Sequence, residues 1–182
     1  MNIPRPDSTV LLAVDLQERL VPAMEDPAPL IERNRILIQG MAALGVDMLA
    51  TEQYPKGLGH TIPEIAEVLP ETAATVEKID FSVFSEPAFR TALAAKPHKT
   101  LVVSGIEAHV CVLQTVLDAR NDGLDVICVA DAVASRKSPE RDTAFQAMRH
   151  AGAQVLSVEA VLFMLLRNAK HPAFKTISKL IR

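Results

Sequence analysis

Short runs rich in Val, Leu, Ile and Ala alternate with helical patterns along the whole 182-residue chain, and this alternation restricts its fold most. Most of these runs are continuously apolar, as expected of strands buried on both faces. The pattern therefore predicts a parallel sheet covered by helices. The predicted strands span residues 9–16, 46–52, 74–79, 100–105, 125–131 and 153–158. The predicted helices span about 28–44, 62–68, 86–96, 109–121, 138–151 and 159–169.

Six such strands joined by right-handed crossovers form an open, doubly wound α/β fold of three layers, similar to the Rossmann fold. The pattern alone does not determine the strand order, but 3-2-1-4-5-6 is the commonest solution, and we predict it. No repeat or low-complexity tract divides the chain, so we expect a single domain over residues 1–182. The last segment, HPAFKTISKLIR, predicts a C-terminal helical extension at about 170–182, packed on the body or on a second subunit.

The composition excludes several classes of function. A net charge of −3 gives no electrostatic reason to bind nucleic acid or an anionic membrane. The hydrophobic fraction of 49% is typical of a soluble globular protein, yet no apolar stretch reaches transmembrane length. The first strand begins too early to leave room for a signal peptide, so we expect a cytoplasmic protein. Its two cysteines would then be free thiols.

Three reactive side chains follow strands that meet at one edge of the predicted sheet. Asp15 ends strand 1, strand 3 runs into Lys78, and strand 4 leads through GIEAH to Cys111. Ligands of such sheets bind at this edge, where the strand order reverses between strands 1 and 4. A helix N-terminus and a nearby ammonium group both stabilise a thiolate, so this placement predicts an activated Cys111. Asp15 could then accept the thiol proton, while Lys78 holds the carboxylate in place.

Each of these residues also has a purely structural interpretation. A lone cysteine on a helix is more often buried packing than a nucleophile, and Cys128, inside the run ICVA, is assigned to packing. Asp15 could cap a loop, and Lys78 could belong to a solvated charge cluster. Asp15 and Ser104 also imitate a phosphoryl-transfer layout, but Gln17 occupies the position of its second acid.

Several longer motifs resemble those of a known superfamily. LLAVDLQ, VEKIDFSVF and SGIEAHVCVLQTVLDARNDGLDVICVADAVASR are similar to the isochorismatase-like cysteine hydrolases, over about residues 8–160. TEQYPKGLGHT and HPAFKTISKLI resemble the branch of isochorismatase domain-containing proteins. The resemblance implies a catalytic Asp15–Lys78–Cys111 triad, a cis peptide bond between Ile106 and Glu107, and oxyanion donors at the backbone N–H groups of Glu107 and Cys111. It also favours a homo-oligomer.

The chain departs from two patterns of that superfamily. Nicotinamidases carry an Asp-x-His motif after strand 2 for a divalent metal, whereas this chain leaves His60 without such partners. We therefore predict no metal site and no cofactor. Isochorismatases proper lack the cysteine and cleave a vinyl ether, so the presence of Cys111 argues against that activity.

The predicted function is a hydrolase of a small molecule that cleaves an amide C–N bond through a covalent Cys111 intermediate. The alternative is a non-catalytic binding or scaffold protein with the same fold.

We expect the loop from Glu52 to His60 and the segment from Phe81 to Phe84 to line the mouth of the site. Asp131, Ser135 and Arg136 are interpreted as structural support. The candidates for substrate contacts are Gln17, Gln53, Tyr54, Phe81, Phe84, Glu107 and His109, although the two phenylalanines could instead belong to the core.

Overall fold

A computed structural model describes residues 3–182 and contains one sheet of six strands. All neighbouring strands pair in parallel, in the order β3-β2-β1-β4-β5-β6. The predicted doubly wound fold and its strand order are thereby confirmed. The strands are β1 (Thr9–Val14), β2 (Asp47–Gln53), β3 (Ala74–Lys78), β4 (Thr100–Ile106), β5 (Asp125–Ala134) and β6 (Gln154–Leu156).

Eight α-helices lie within residues 3–182, and five of them carry proline in their first or second position. Proline suits this place because its fixed φ is helical and its missing N–H group would have no partner there. No helix in this described range is long and apolar enough to cross a membrane. The helices are α1 (Pro27–Ala43), α2 (Pro55–Leu58), α3 (Pro63–Ala66), α4 (Pro87–Ala94), α5 (Leu113–Asn121), α6 (Ser138–His150), α7 (Val158–Leu166) and α8 (Phe174–Leu180).

The sheet separates two hydrophobic clusters. Along β1, Leu11 and Ala13 face the cluster formed with α1, α7 and α8, whereas Val10, Leu12 and Val14 face the cluster formed with α4, α5 and α6. Successive side chains of a strand point to opposite faces. Because helices cover both faces, every residue of β1 is buried, which explains its continuous apolar run.

The structure differs from the predicted elements mainly at strand 5 and at the helix that follows strand 4. β5 runs to Ala134, three residues beyond the predicted end. The polar Asp131 suggested an end there, but its carboxylate accepts a hydrogen bond from the N–H group of Val158 (2.8 Å) at the start of α7. The pairing of β4 with β5 shifts between Val103 and Gly105. The helix predicted from residue 109 is a π-helical turn, Ala108–Val112, that continues into α5.

Candidate active site

Asp15 follows β1 directly and lies fully buried at the carboxyl edge of the sheet. Its backbone has a positive φ of 50°, which turns the chain sharply out of the strand. The hydroxyl group of Thr51 on β2 donates to Asp15 Oδ1 at 2.6 Å. The N–H group of Asp15 also donates to the carbonyl of Thr51 (3.1 Å). One carboxylate oxygen is therefore held by a neighbouring strand, which leaves the other oxygen for a second partner.

That second partner is Lys78, at the end of β3. Its ammonium group lies 2.7 Å from Asp15 Oδ2, and neither side chain is exposed to solvent. The same ammonium group donates to Gln53 Oε1 at 2.6 Å. A fully buried ion pair needs such additional hydrogen bonds, because desolvation of two charges is costly. Thr51 and Gln53 supply them from two positions on β2.

Gly105 allows the end of β4 to approach β1 closely. It has a φ of +106°, and a Cβ atom at this position would come within 2.0 Å of the carbonyl oxygen of Val14. Only glycine fits such a close approach of two backbones. The chain that continues from Gly105 toward Cys111 therefore starts beside the strand that carries Asp15.

Cys111 lies in the π-helical turn after β4. The N–H groups of Val110 and Val112 both donate to the carbonyl of Glu107, at 3.1 and 3.2 Å, and the Ile106–Glu107 peptide bond is cis. Cys111 Sγ is 3.9 Å from Gln53 Oε1. The structure thus brings Asp15, Lys78 and Cys111 together: Lys78 contacts Asp15 and Gln53, and Cys111 contacts Gln53.

The acidity of Cys111 differs from the sequence expectation. Burial, the largest cause, and the Asp15 carboxylate together raise the pKa of its thiol to about 12, although Lys78 acts in the opposite direction. The expectation of a thiolate activated by its position is therefore wrong for the resting molecule. The helix N-terminus and Lys78 both favour the thiolate, but desolvation and the charge of Asp15 disfavour it more strongly. Cys111 remains protonated near neutral pH, with a carboxylate beside it.

Gln17 holds the backbone of the loop after β2 and does not line an open pocket. Its side-chain amide donates to the carbonyls of Gln53 (3.0 Å) and Gly59 (2.7 Å), and its oxygen accepts from the N–H group of Gln53 (2.7 Å). All polar atoms of this buried side chain are engaged with backbone. We therefore correct its assignment from a substrate-contact candidate to a residue that positions Gln53.

The aromatic candidates occupy different environments. Phe84 is only 2% exposed and packs edge-on against Phe89, with ring centroids 5.0 Å apart, so it belongs to the core and not to a pocket. Phe81 and Tyr54 are each 51% exposed. The Tyr54 ring lies over Gly57, where a Cβ atom would come within 2.2 Å of it.

His109 and Glu107 are bound to the loop that follows β5. His109 Nδ1 lies 2.9 Å from the hydroxyl oxygen of Ser135, and Glu107 Oε2 accepts from both the backbone N–H and the Nε–H groups of Arg136 (3.0 Å each). Ser135 and Arg136 therefore support the turn that carries Cys111, whereas Asp131 instead binds the start of α7.

Two shallow cavities flank the loop between β5 and α6. One has a volume of about 210 Å³ and is lined by His109, Arg136, Lys137 and Glu140. The other, of about 420 Å³, is lined by Glu25, Asp26, Ala134, Ser135, Ser138 and Arg141. Sequence reasoning missed Lys137 and Glu140, although the end of strand 5 meets the same edge of the sheet and could have indicated them.

Glu52 and His60 form a hydrogen-bonded pair rather than an open metal site. Glu52 Oε2 lies 2.9 Å from His60 Nδ1, and Oε1 accepts from the N–H group of Thr61 at 2.7 Å. Burial opposes ionisation of Glu52, but the bonds from Thr61 and His60 outweigh it and lower its pKa. The hydrogen bond and charge of Glu52 raise the pKa of His60. No group of three or more His, Cys, Asp or Glu side chains in residues 3–182 is arranged to hold a metal ion.

Comparison with known proteins identifies relatives over nearly the whole chain. A family model described as the isochorismatase domain matches residues 9–160. Isochorismatase domain-containing protein 2 of Danio rerio is 37% identical over 175 residues, which is 95% of this chain and 86% of that protein. Isochorismatase domain-containing protein 1 of Salmo salar is 36% identical over 178 residues, or 97% of this chain. The chain spans 62% of the length of that salmon protein.

A solved structure of the MAR1 ribonuclease from Caenorhabditis elegans is also similar. It has a TM-score of 0.93 and 39% sequence identity, and the superposition covers 98% of this chain and 91% of that one. The resemblance that the motifs indicated is confirmed by these comparisons.

Proposed function

The chain belongs to the isochorismatase domain family, and we propose that it hydrolyses an amide C–N bond of a small molecule through a covalent intermediate on Cys111. Membership of this family of hydrolases supports hydrolytic activity. The observation that carries the proposal is the fully buried pair of Asp15 and Lys78, 2.7 Å apart, beside the thiol of Cys111. A carboxylate next to a protonated thiol is the arrangement that general-base catalysis requires.

In the first step the sulfur attacks the carbonyl carbon of the amide. Because burial and Asp15 hold the thiol protonated, the S–H proton passes to the Asp15 carboxylate as the S–C bond forms. The carbonyl oxygen becomes an oxyanion, for which the backbone N–H groups of Glu107 and Cys111 are the proposed donors. Lys78 offsets the negative charge that develops on the sulfur before the bond is complete.

In the second step the C–N bond breaks. Protonated Asp15 returns its proton to the leaving nitrogen, so an amine departs and a thioester remains on Cys111.

In the last step the thioester is hydrolysed. Asp15 accepts a proton from water, whose oxygen attacks the thioester carbon. The C–S bond breaks, the acid product leaves, and the sulfur regains its proton from Asp15. The sum is amide plus water to acid plus amine, with no metal or cofactor required by the proposal.

Cleavage of RNA is a second candidate, because the relative from C. elegans at 39% identity is described as a ribonuclease. The segment from residue 167 to 182 contains basic side chains and no acidic ones, although the whole chain has a net charge of −3. Its basic side chains are Arg167, Lys170, Lys175, Lys179 and Arg182. The buried position of Asp15 and Lys78 nevertheless favours a small substrate over a polyanion.

The proposal extends to the setting of the protein. Both cysteines are free, as is usual in a reducing compartment, and this supports the proposal that the protein acts in the cytoplasm. We propose that residues 1–182 function as one domain, with α8 as a C-terminal extension that packs on α1 through the buried Ile177. A homo-oligomer is the assembly that we expect.

Trapping of the intermediate tests the mechanism. The protein is incubated with a mixture of small amides, and the peptides that contain Cys111 and Cys128 are analysed by mass spectrometry. An acyl adduct on Cys111, absent from Cys111→Ala, is the expected result. An adduct on Cys128 alone would contradict the proposed nucleophile. A parallel incubation with an RNA oligonucleotide separates the two functions, since RNA cleavage that survives Cys111→Ala would be independent of the proposed cysteine chemistry.

A further inference from the structure

The side chain of Gln53 contacts two of the three proposed catalytic residues, Lys78 and Cys111. Its oxygen accepts from the Lys78 ammonium group at 2.6 Å and lies 3.9 Å from Cys111 Sγ. Its nitrogen donates to the carbonyl of Ile79 at 2.6 Å. That carbonyl can only accept, so the carboxamide must present its NH₂ group to Ile79 and its oxygen to Lys78. The orientation of the side chain is therefore fixed by its partners.

The backbone of Gln53 is held as firmly as its side chain. Gln17 bonds both the N–H group (2.7 Å) and the carbonyl (3.0 Å) of Gln53, and Gln17 is itself fully buried. Gln53 thus has little freedom to move away from Lys78. Such over-determined placement is typical of residues that support a catalytic constellation.

We propose that Gln53 is a positioning residue that fixes the Lys78 ammonium group between Asp15 and the sulfur of Cys111 without adding a second negative charge. A carboxylate could make the same hydrogen bond to Lys78. However, it would share the charge of Lys78 and disfavour the thiolate that must develop on the sulfur. The neutral carboxamide orients the ammonium group and leaves its charge available to the sulfur. This role rests on the function of Asp15, Lys78 and Cys111 proposed above.

Few charged groups act on this thiol. Asp15 approaches it from the end of β1 and Lys78 from the end of β3. On the turn of Cys111 itself, the Glu107 carboxylate is bound to Arg136 and the His109 ring to Ser135. A new charge at position 53 therefore enters a site where one carboxylate and one ammonium group are balanced.

The rate at which iodoacetamide alkylates Cys111 measures how readily its thiolate forms, and the measurement requires no substrate. The rate is followed by mass spectrometry between pH 7.5 and 10 for the wild type, Gln53→Glu and Gln53→Met. The glutamate keeps the length of the side chain and adds charge, whereas the methionine keeps the length and removes the oxygen. Gln114→Glu makes the same chemical change at an exposed position three residues after Cys111, where water screens it.

We expect Gln53→Glu to slow alkylation about tenfold at each pH, which corresponds to a rise of about one unit in the pKa of the thiol. Gln53→Met should slow it about threefold, because Lys78 loses the hydrogen bond that holds it beside the sulfur, and Gln114→Glu should change it less than about twofold. No slowing by Gln53→Met would overturn the positioning role, and equal slowing by both substitutions at position 53, or no effect of the glutamate, would overturn the role of the neutral charge. Cys128 is fully buried, so its labelling in the same samples reports unfolding of a variant. If no amide is hydrolysed, that outcome counts against the proposed function. The alkylation rates still test the role of Gln53, because they require no substrate.

Discussion

The two cysteines of this chain are alike in burial and unlike in their partners. The pKa of both thiols is raised to about 12, and burial is the largest cause in each case. Cys128 lies in the middle of β5, beside Val103 of β4 and Val155 of β6, and the charge of Arg149 opposes the effect of burial on its pKa. Cys111 has the Asp15 carboxylate and the Lys78 ammonium group beside it. Low acidity at rest therefore does not distinguish the proposed nucleophile; the proton acceptor next to it does.

Removal of each thiol in turn gives the largest expected difference. Cys111→Ala should reduce turnover of an amide substrate by roughly a thousandfold or more, because no other group can form the thioester. Cys128→Val, which keeps a small apolar side chain in the core, should leave turnover within about twofold. Initial rates of both purified variants test this contrast. Comparable losses in the two variants would mean that Cys111 acts through packing, as Cys128 does.

Loss of Lys78 should remove the ammonium group that lies beside Cys111 and pairs with Asp15. Lys78→Met leaves the Asp15 carboxylate buried and unpaired, so we expect a loss of about 3–5 kcal/mol in the free energy of unfolding. The matched control is Lys96→Met, because Lys96 pairs with Asp47 at the same distance, 2.7 Å, but on the surface. That change should cost less than about 1 kcal/mol. Urea denaturation of both variants measures the two values, and similar losses would contradict a special cost of burial.

The sequence was sufficient to predict the strands and to bring Asp15, Lys78 and Cys111 to one edge of the sheet. Residues that end parallel strands must meet there, whatever the details of packing. It was not sufficient to predict the partners of these residues. Thr51 meets Asp15 only because β1 and β2 pair in the register Val14 to Thr51, which spacing along the chain does not determine.

Two further differences have related physical causes. Phe84 was a candidate for the pocket, but the short helical turn Val83–Ser85 directs its ring into the core, where Phe89 packs against it. The pKa of Cys111 was expected to be lowered, and burial reverses the sign. Both outcomes depend on how completely a side chain is buried, which a residue pattern indicates only coarsely.

Thr51 provides a smaller test of the environment of Cys111, because it touches Asp15 and not the thiol. Thr51→Val removes the 2.6 Å hydrogen bond to the buried carboxylate, together with a 3.2 Å bond that the hydroxyl accepts from the N–H group of Asp15, and should cost roughly 1.5–3 kcal/mol of stability. The matched control is Thr115→Val, since the Thr115 hydroxyl accepts from the neutral N–H group of Val83 (3.3 Å) and is equally buried. It should cost about 1 kcal/mol. Thermal or urea unfolding separates the two, and equal costs would show that the charge of Asp15 adds nothing.

The pH dependence of stability isolates Cys128. Its pKa is about 12 in the folded protein and near the ordinary thiol value of 9.0 in the unfolded chain. Above pH 9 the unfolded state releases the thiol proton while the folded state keeps it, so ionisation favours unfolding and stability falls as pH rises. Between pH 8 and 10 the wild type should lose about 1.4 kcal/mol more than Cys128→Val. The comparison of two urea curves at each pH cancels the titration of every other group. A difference of zero would mean that Cys128 ionises as readily in the folded protein as in the unfolded chain, and its burial would then no longer explain its pKa.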